Sequence, residues 1–277
     1  MKERRIGCVI LFVILILFDV KLTGILQEQK NGQMEFDPEV YHTTFRNQQV
    51  DPLIYQNFLN HDTKKYSVSE YIAAYFYQGE QSKTALTARI DQFRLQYPKE
   101  WNCYVSYEDA IWADVRYFPV AASMNHPDAT VAFDDSWMQS RTFGGNRGHE
   151  GCDIMASVNT RGYYPIVSVS DGVIEKIGWL PQGGYRLGIR SPHGAYFYYA
   201  HLYDYVRDFV PGEPVTAGEI IGFMGDSGYS KVEGTVGNFD VHLHFGIYLN
   251  DENGKEFSVN SYSVLKMLEK KKYRCMF

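Results

Sequence analysis

Apolar and polar positions change their period along this chain, and the changes divide it. Residues 6–18 are an unbroken apolar run of 13 behind Lys2, Arg4 and Arg5, the pattern of a secretory signal. Val20, Leu22, Ile25 and Leu26 extend the run past Asp19 and Lys21 towards the length of a membrane span. No small-x-small cleavage site follows cleanly. Residues 1–26 are therefore expected as an uncleaved signal-anchor with a cytoplasmic N-terminus, or as a signal peptide if cleaved. Residues 27–36 are polar and predict a short linker.

From 37 to 117 the period is helical. Ser67-Val68-Ser69-Glu70 has the form of a capping box opening an apolar helix. Leu86, Ile90, Phe93 and Tyr97 recur at steps of four, three and four, which places them on one helix face; Pro98 is expected to end it. Residues 118–140 contain many turn residues and predict a polar connection. Beyond it the period drops to two, with short strands expected at 166–169, 173–177, 185–190, 196–201, 220–224 and 242–248. Pro192-His193-Gly194 predicts a hairpin tip, which leaves His193 an unsuitable ligand, and 264–273 predicts a basic amphipathic helix within a tail at 263–277. Strands without a βαβ rhythm, preceded by helices, predict an α+β chain with an antiparallel sheet over 141–262.

Charge narrows the partners. The net charge is −6, and removing the four basic and two acidic residues of positions 1–25 leaves 23 basic against 31 acidic, a balance of −8. That argues against nucleic acid. The 22 tyrosines and 17 phenylalanines suit broad β surfaces, either packed or lining a groove. Outside the N-terminal run lie Cys103, Cys152 and Cys275, an odd set that allows one disulfide and a thiol or three thiols. His42 and His61 are isolated, and are expected to serve packing or surface.

The candidate chemistry lies in Val241-His242-Leu243-His244-Phe245. Strand alternation turns His242 and His244 to one face and the three apolar residues to the other. His149 and Asp153 stand four apart in Gly148-His149-Glu150-Gly151-Cys152-Asp153, and His201 lies in Tyr198-Tyr199-Ala200-His201-Leu202. Zinc in hydrolases takes three ligands from His and carboxylate and leaves a position for water. His149, Asp153 and one histidine of the pair would supply that set. Glu150 is not the base of an H-E-x-x-H helix, because the second histidine is missing and glycines flank the stretch.

The order of H-x3-D, Y-A-H-L and H-L-H-F resembles the M23 family of zinc metallopeptidases, the lysostaphin-like endopeptidases of bacterial cell walls, over roughly residues 140–262. The glycine pattern from Gly212 and Gly218 through Gly222 to Gly225 and Gly228 agrees. The resemblance implies one Zn2+ per chain held by His149, Asp153 and His244, with His201 and His242 as catalytic imidazoles. It implies peptidoglycan peptides as substrate and action in the cell envelope, with the membrane reached through the N-terminal segment. Two features depart from the family pattern. Asn238-Phe239-Asp240-Val241 stands where a glycine–proline is common, and Cys152 adjoins Asp153, facing away from the metal if extended and able to approach it in a turn. A non-catalytic envelope scaffold, or a sugar- or peptide-binding module with incidental histidines, are the other readings of the same residues.

Overall fold

Residues 44–61, 64–78 and 82–277 are described by the structure, a computed structural model. The apolar run at 6–18, the linker, His42 and the first residues of the expected helical region lie outside the described residues. Among the described residues no helix is long and apolar enough to cross a membrane.

Among the described residues a short helical stretch at 44–47 and then four helices precede the sheet: α1 (Pro52–Leu59), α2 (Val68–Gln78), α3 (Lys83–Gln96) and α4 (Pro98–Trp112). The capping box forms as expected. Glu70 N–H donates to Ser67 Oγ at 3.1 Å and Ser67 N–H to Glu70 Oε2 at 2.9 Å. The same carboxylate accepts two bonds of 2.7 Å from Arg94 and one of 3.3 Å from the Trp101 indole, so one residue caps α2 and ties it to α3 and α4. On α3, Leu86, Ile90 and Phe93 are buried, each contributing on the order of 1.5–3 kcal/mol. Pro98 ends α3 and also opens α4, because its fixed φ and missing N–H suit the first helical position.

The sheet runs β10-β7-β8-β9-β11-β6-β1-β14, with β12 joining β9 to β5 and β13, and β2 extending β5. Its central members are β5 (Cys152–Ala156), β7 (Gly172–Leu180), β8 (Gly184–Arg190), β9 (Tyr196–Tyr205), β11 (Ile220–Met224) and β12 (His242–Asn250). β6 (Pro165–Val167), β10 (Pro214–Val215) and β13 (Glu256–Val259) complete it. A separate hairpin, β3 (Ser140–Arg141) with β4 (Arg147–Gly148), stands at the rim of the site. Helices and sheet belong to one compact unit. Phe45, Tyr107 and Phe257 form a ring triangle at 5.6–6.3 Å between them. Asp114, just past α4, accepts from the backbone and the ring of His193 at 2.8 and 2.7 Å, at the β8–β9 hairpin tip.

Two expectations need correction. The segment 118–140 is not simply a polar connection: it contains β1 (Phe118–Ser123), buried over its first four residues, and β2 (Val131–Phe133). The apolar side chains of Phe118 and Val120 fill the core there, while the turn residues after them dominated the local pattern. The tail is helical only over α5 (Tyr262–Leu268), and then continues as β14 (Lys272–Cys275), parallel to β1. Val264, Leu265 and Leu268 supply the buried face of α5; the remainder finds its hydrogen bonds on a strand about 150 residues away, which no local period announces. This pairing is also the one parallel ladder among the described strands of the main sheet.

Candidate metal centre and its cleft

Register builds the cluster. β12 pairs β5 so that His244 lies opposite Asp153 and His242 opposite Met155. Leu243 and Phe245 turn into the core, fully buried, as the alternation predicts. The β4–β5 turn, Glu150-Gly151, brings His149 over the same face. Gly151 is needed there, since a Cβ would lie 2.6 Å from His244 Cε1 and 2.7 Å from the Phe245 carbonyl oxygen.

His149 Nε2, His244 Nδ1 and Asp153 Oδ1 form a triangle with sides of 2.8, 3.0 and 3.0 Å. His149 Nδ1 sits 3.1 Å from the Ser136 carbonyl oxygen, which can only accept, so Nδ1–H donates and neutral His149 presents a bare lone pair at Nε2. His201 Nδ1 donates to the Ser227 carbonyl at 2.7 Å, and His242 Nδ1 to the Asp240 carbonyl at 2.7 Å. Both therefore keep Nε2 free for the cleft. Within the triangle a single proton at most, on His244 Nδ1, serves three contacts while both imidazoles are neutral. Three acceptors held about 3 Å apart suit a cation better than one another. Imidazole nitrogen with carboxylate oxygen is a zinc donor set, and a tetrahedral zinc spaces such atoms by about 3.3 Å. The residues fit the ion.

Electrostatics agrees. Burial pushes His201 well below the usual imidazole range, and the neighbouring His242 and His244 push it the same way. Burial also lowers His244, against the pull of Asp153. Asp153 itself ends far below the usual carboxylate range. Burial would raise it, but in acid the protonated imidazoles of His149 and His244 donate to it, and the charges of His244 and His242 add to this. Its outer oxygen, Oδ2, accepts from Arg141 Nη2 at 2.8 Å.

The remaining walls are aromatic. The His201 ring lies 4.7 Å from those of His242 and Phe239, and Tyr229 stands 4.9 Å from Phe239. His201 has φ +63°, a left-handed backbone that a β-strand residue rarely adopts; its N–H bond to Gly183 O at 2.7 Å and its ring bond to Ser227 hold it there. Phe143 of the β3–β4 hairpin stacks on Tyr229, with centroids 4.7 Å apart and planes at 5°. Asn238-Phe239-Asp240-Val241 is fixed by Asn159, whose side chain bonds Asp240 Oδ1 at 2.9 Å and Val241 N at 2.7 Å.

All five residues singled out from sequence meet at this cleft. Cys152 takes the extended alternative: it is buried on the core side of β5, its thiol bonding Asp134 O and pushed up to about 12 by burial and the nearby acids. Cys103, Cys152 and Cys275 are free thiols. Arg141 and the three carbonyls that orient the histidines were not visible in sequence. Arg141 lies twelve residues from Asp153, and the carbonyls lie 2, 13 and 26 residues from the histidines they orient, on main chain that any residue would supply.

A His–Asp–His cluster on the open face of an antiparallel sheet, with two further imidazoles beside it, defines the class. Residues 147–257 match the sequence profile of peptidase family M23, and the chain belongs to that family. A candidate glycyl-glycine endopeptidase LytM of known structure, from Ruminococcus gnavus, is 41% identical, with a TM-score of 0.74; the alignment covers 87% of this chain and 96% of that one. That coverage reaches into the helices before β1. The L-Ala–D-Glu endopeptidase of Bacillus subtilis (strain 168) is 38% identical over 143 residues, 52% of this chain and 42% of the relative. The glycyl-glycine endopeptidase ALE-1 of Staphylococcus capitis is 36% identical over 104 residues, 37% of this chain and 24% of the relative. The chain thus spans less than half the length of the curated relatives it matches.

Proposed function

We propose that this protein is a zinc-dependent endopeptidase that hydrolyses peptide bonds of bacterial cell-wall peptidoglycan. The observation that carries the reading is the triangle of His149 Nε2, His244 Nδ1 and Asp153 Oδ1, with one proton at most for three contacts. These three residues would hold one Zn2+. The chemistry such an ion supplies when bound is polarisation of a carbonyl and a water pKa lowered towards neutrality.

The chain's own groups do the rest. His201 and His242 aim Nε2 at the cleft, one to take a proton from the nucleophilic water and the other to donate to the oxygen on which charge develops. Burial keeps His201 unprotonated at neutral pH, so it stands ready as an acceptor. Phe239 and Tyr229 exclude bulk solvent from both rings. Arg141 holds the Asp153 carboxylate so that one oxygen faces the cluster. The non-catalytic scaffold is disfavoured, because all five side chains are present and converge. The substrate places the action outside the cytoplasm, with residues 1–26 directing export as an anchor or a cleaved signal.

The test is incubation of isolated sacculi with the zinc-loaded protein, followed by mass spectrometry of the released muropeptides. New amino termini are expected, and their mass identifies the bond. His244→Ala should lose stoichiometric zinc, whereas His242→Ala should keep it and lose the reaction. Release by a zinc-free His244→Ala protein at the native rate would refute the assignment.

A further inference from the structure

Two arginines in the cleft carry unmatched donors, although Arg147 Nη1 reaches the Gly148 carbonyl at 3.5 Å. The cleft, about 370 Å³, extends from the cluster over the sheet face to Tyr196, Tyr198 and Tyr248. Arg186 and Arg147 line it. Arg186 Nε and Nη1 and Arg147 Nε are buried, and among the described residues they have no hydrogen-bond partner. Unsatisfied buried donors on a guanidinium are costly, and their usual match is a carboxylate taken in two parallel bonds. The acids of the cleft do not fill that place. Glu256 lies 4.0 Å from Lys176, and neither it nor Glu150 pairs with either arginine among the described residues.

Both arginines line this one cleft. The charges of both act on the Tyr198 hydroxyl, opposing the burial that pushes it up to about 12. Register fixes the reach. Arg186 lies between Tyr185, opposite Leu202, and Leu187, opposite Tyr199, on β8, while β9 sets Ala200 against His244 on β12. Two strand spacings of about 4.8 Å separate Arg186 from the His244 rung, roughly 10 Å, which an extended peptide crosses in about three residues.

We propose that Arg186, with Arg147, forms a carboxylate-binding subsite, so that the preferred substrate is a peptide bearing a free carboxylate within about three residues of the scissile bond, and not an uncharged glycyl bridge. This rests on the peptidase reading of the cleft. It distinguishes between the two substrate chemistries of the relatives: a glutamyl peptide linked through one carboxyl keeps the other free, and a glycyl bridge has none.

The experiment compares three synthetic peptides with the zinc-loaded full chain, each blocked as the C-terminal amide so that no terminal carboxylate remains: L-Ala–γ-D-Glu–L-Lys-amide, the same peptide with the free glutamyl carboxyl also as carboxamide, and pentaglycine amide. The acid should exceed the amide by roughly 10- to 100-fold in kcat/KM. Arg186→Gln should erase that preference, chiefly by raising KM for the acid well beyond any change on the amide; Arg186→Lys should restore part of it. Equal rates on acid and amide, faster cleavage of pentaglycine, or an equal loss on both peptides in Arg186→Gln would overturn the subsite. If no peptide is cut, the peptidase reading fails separately, and calorimetric binding to the wild-type protein decides: tighter binding of the acid supports the subsite and equal binding overturns it.

Discussion

Replacing Asp153 by Asn tests whether the cluster is a set of lone pairs awaiting a cation or a buried ion pair that supports the fold. The two readings differ in magnitude. If His149 and His244 are neutral, the amide adds a donor for His149 Nε2, worth about 0.5–1.5 kcal/mol. It weakens the bond from Arg141, whose side chain is 24% exposed and whose partner is 21% exposed, by roughly 1 kcal/mol. These nearly cancel, so in EDTA the variant should melt within about 4 °C of the wild type. If Asp153 instead neutralises a buried imidazolium, removing its charge costs about 3–5 kcal/mol and the melting temperature falls by roughly 6–20 °C. Zinc supplies the second arm. At a free concentration 1,000 times its dissociation constant it stabilises by about 4.1 kcal/mol, raising the wild type by roughly 8–16 °C; the variant, lacking a ligand, should not respond. Calorimetric melts with EDTA and with zinc give all four values. A drop beyond about 6 °C in EDTA, or a zinc response retained by the variant, would refute the lone-pair reading.

Other consequences are simpler to check. His201 and His244 titrate below their unfolded value of about 6.5, so between those lowered values and 6.5 the unfolded chain binds more protons. Stability of the zinc-free protein should therefore fall as pH drops below about 6.5; urea unfolding at pH 7.5 and 5.5 measures it, and a flat profile counts against the buried neutral imidazoles. Gly151→Ala places a Cβ against the His244 ring and the Phe245 backbone. Zinc affinity by competition with a chromophoric chelator should fall by about 10- to 100-fold, and unchanged affinity would show that the turn is not what seats His244.

What the chain reveals on reading, and what it hides, divides along physical lines. The H-x-H pair was legible because strand alternation is local: Leu243 and Phe245 had to be buried, so His242 and His244 had to share a face. His149 and Asp153 were legible as residue types, but the triangle depends on β5 meeting β12 in one register, which is non-local. Arg141 gave no signal, since an arginine twelve residues before an aspartate follows neither period. Phe118 and Val120 lay among turn residues, and their strand exists only because β6 and β14 come to it. β14 was concealed for the same reason, as lysines at a chain end resemble a solvated helix until an edge is present to pair with them. The cleft arginines were ordinary charges until their donors proved to be buried and unmatched.

His149, His201 and His242 are each oriented by a main-chain carbonyl, those of Ser136, Ser227 and Asp240. No single substitution deletes a carbonyl. The choice of which nitrogen carries the proton is thus written largely into the path of the backbone, with the Ser136 hydroxyl, 3.0 Å from His149 Nδ1, as the one side chain of those three positions that adds to it. The side chains at these positions serve the loops themselves: Ser227 Oγ donates to Leu202 O and accepts from Tyr185 N, and Asp240 Oδ1 accepts from Asn159, so that the proton inventory of the cleft depends on how the loops are held. A transplanted set of five side chains would not reproduce the site. The loops at 136, 227 and 240 would have to travel with them.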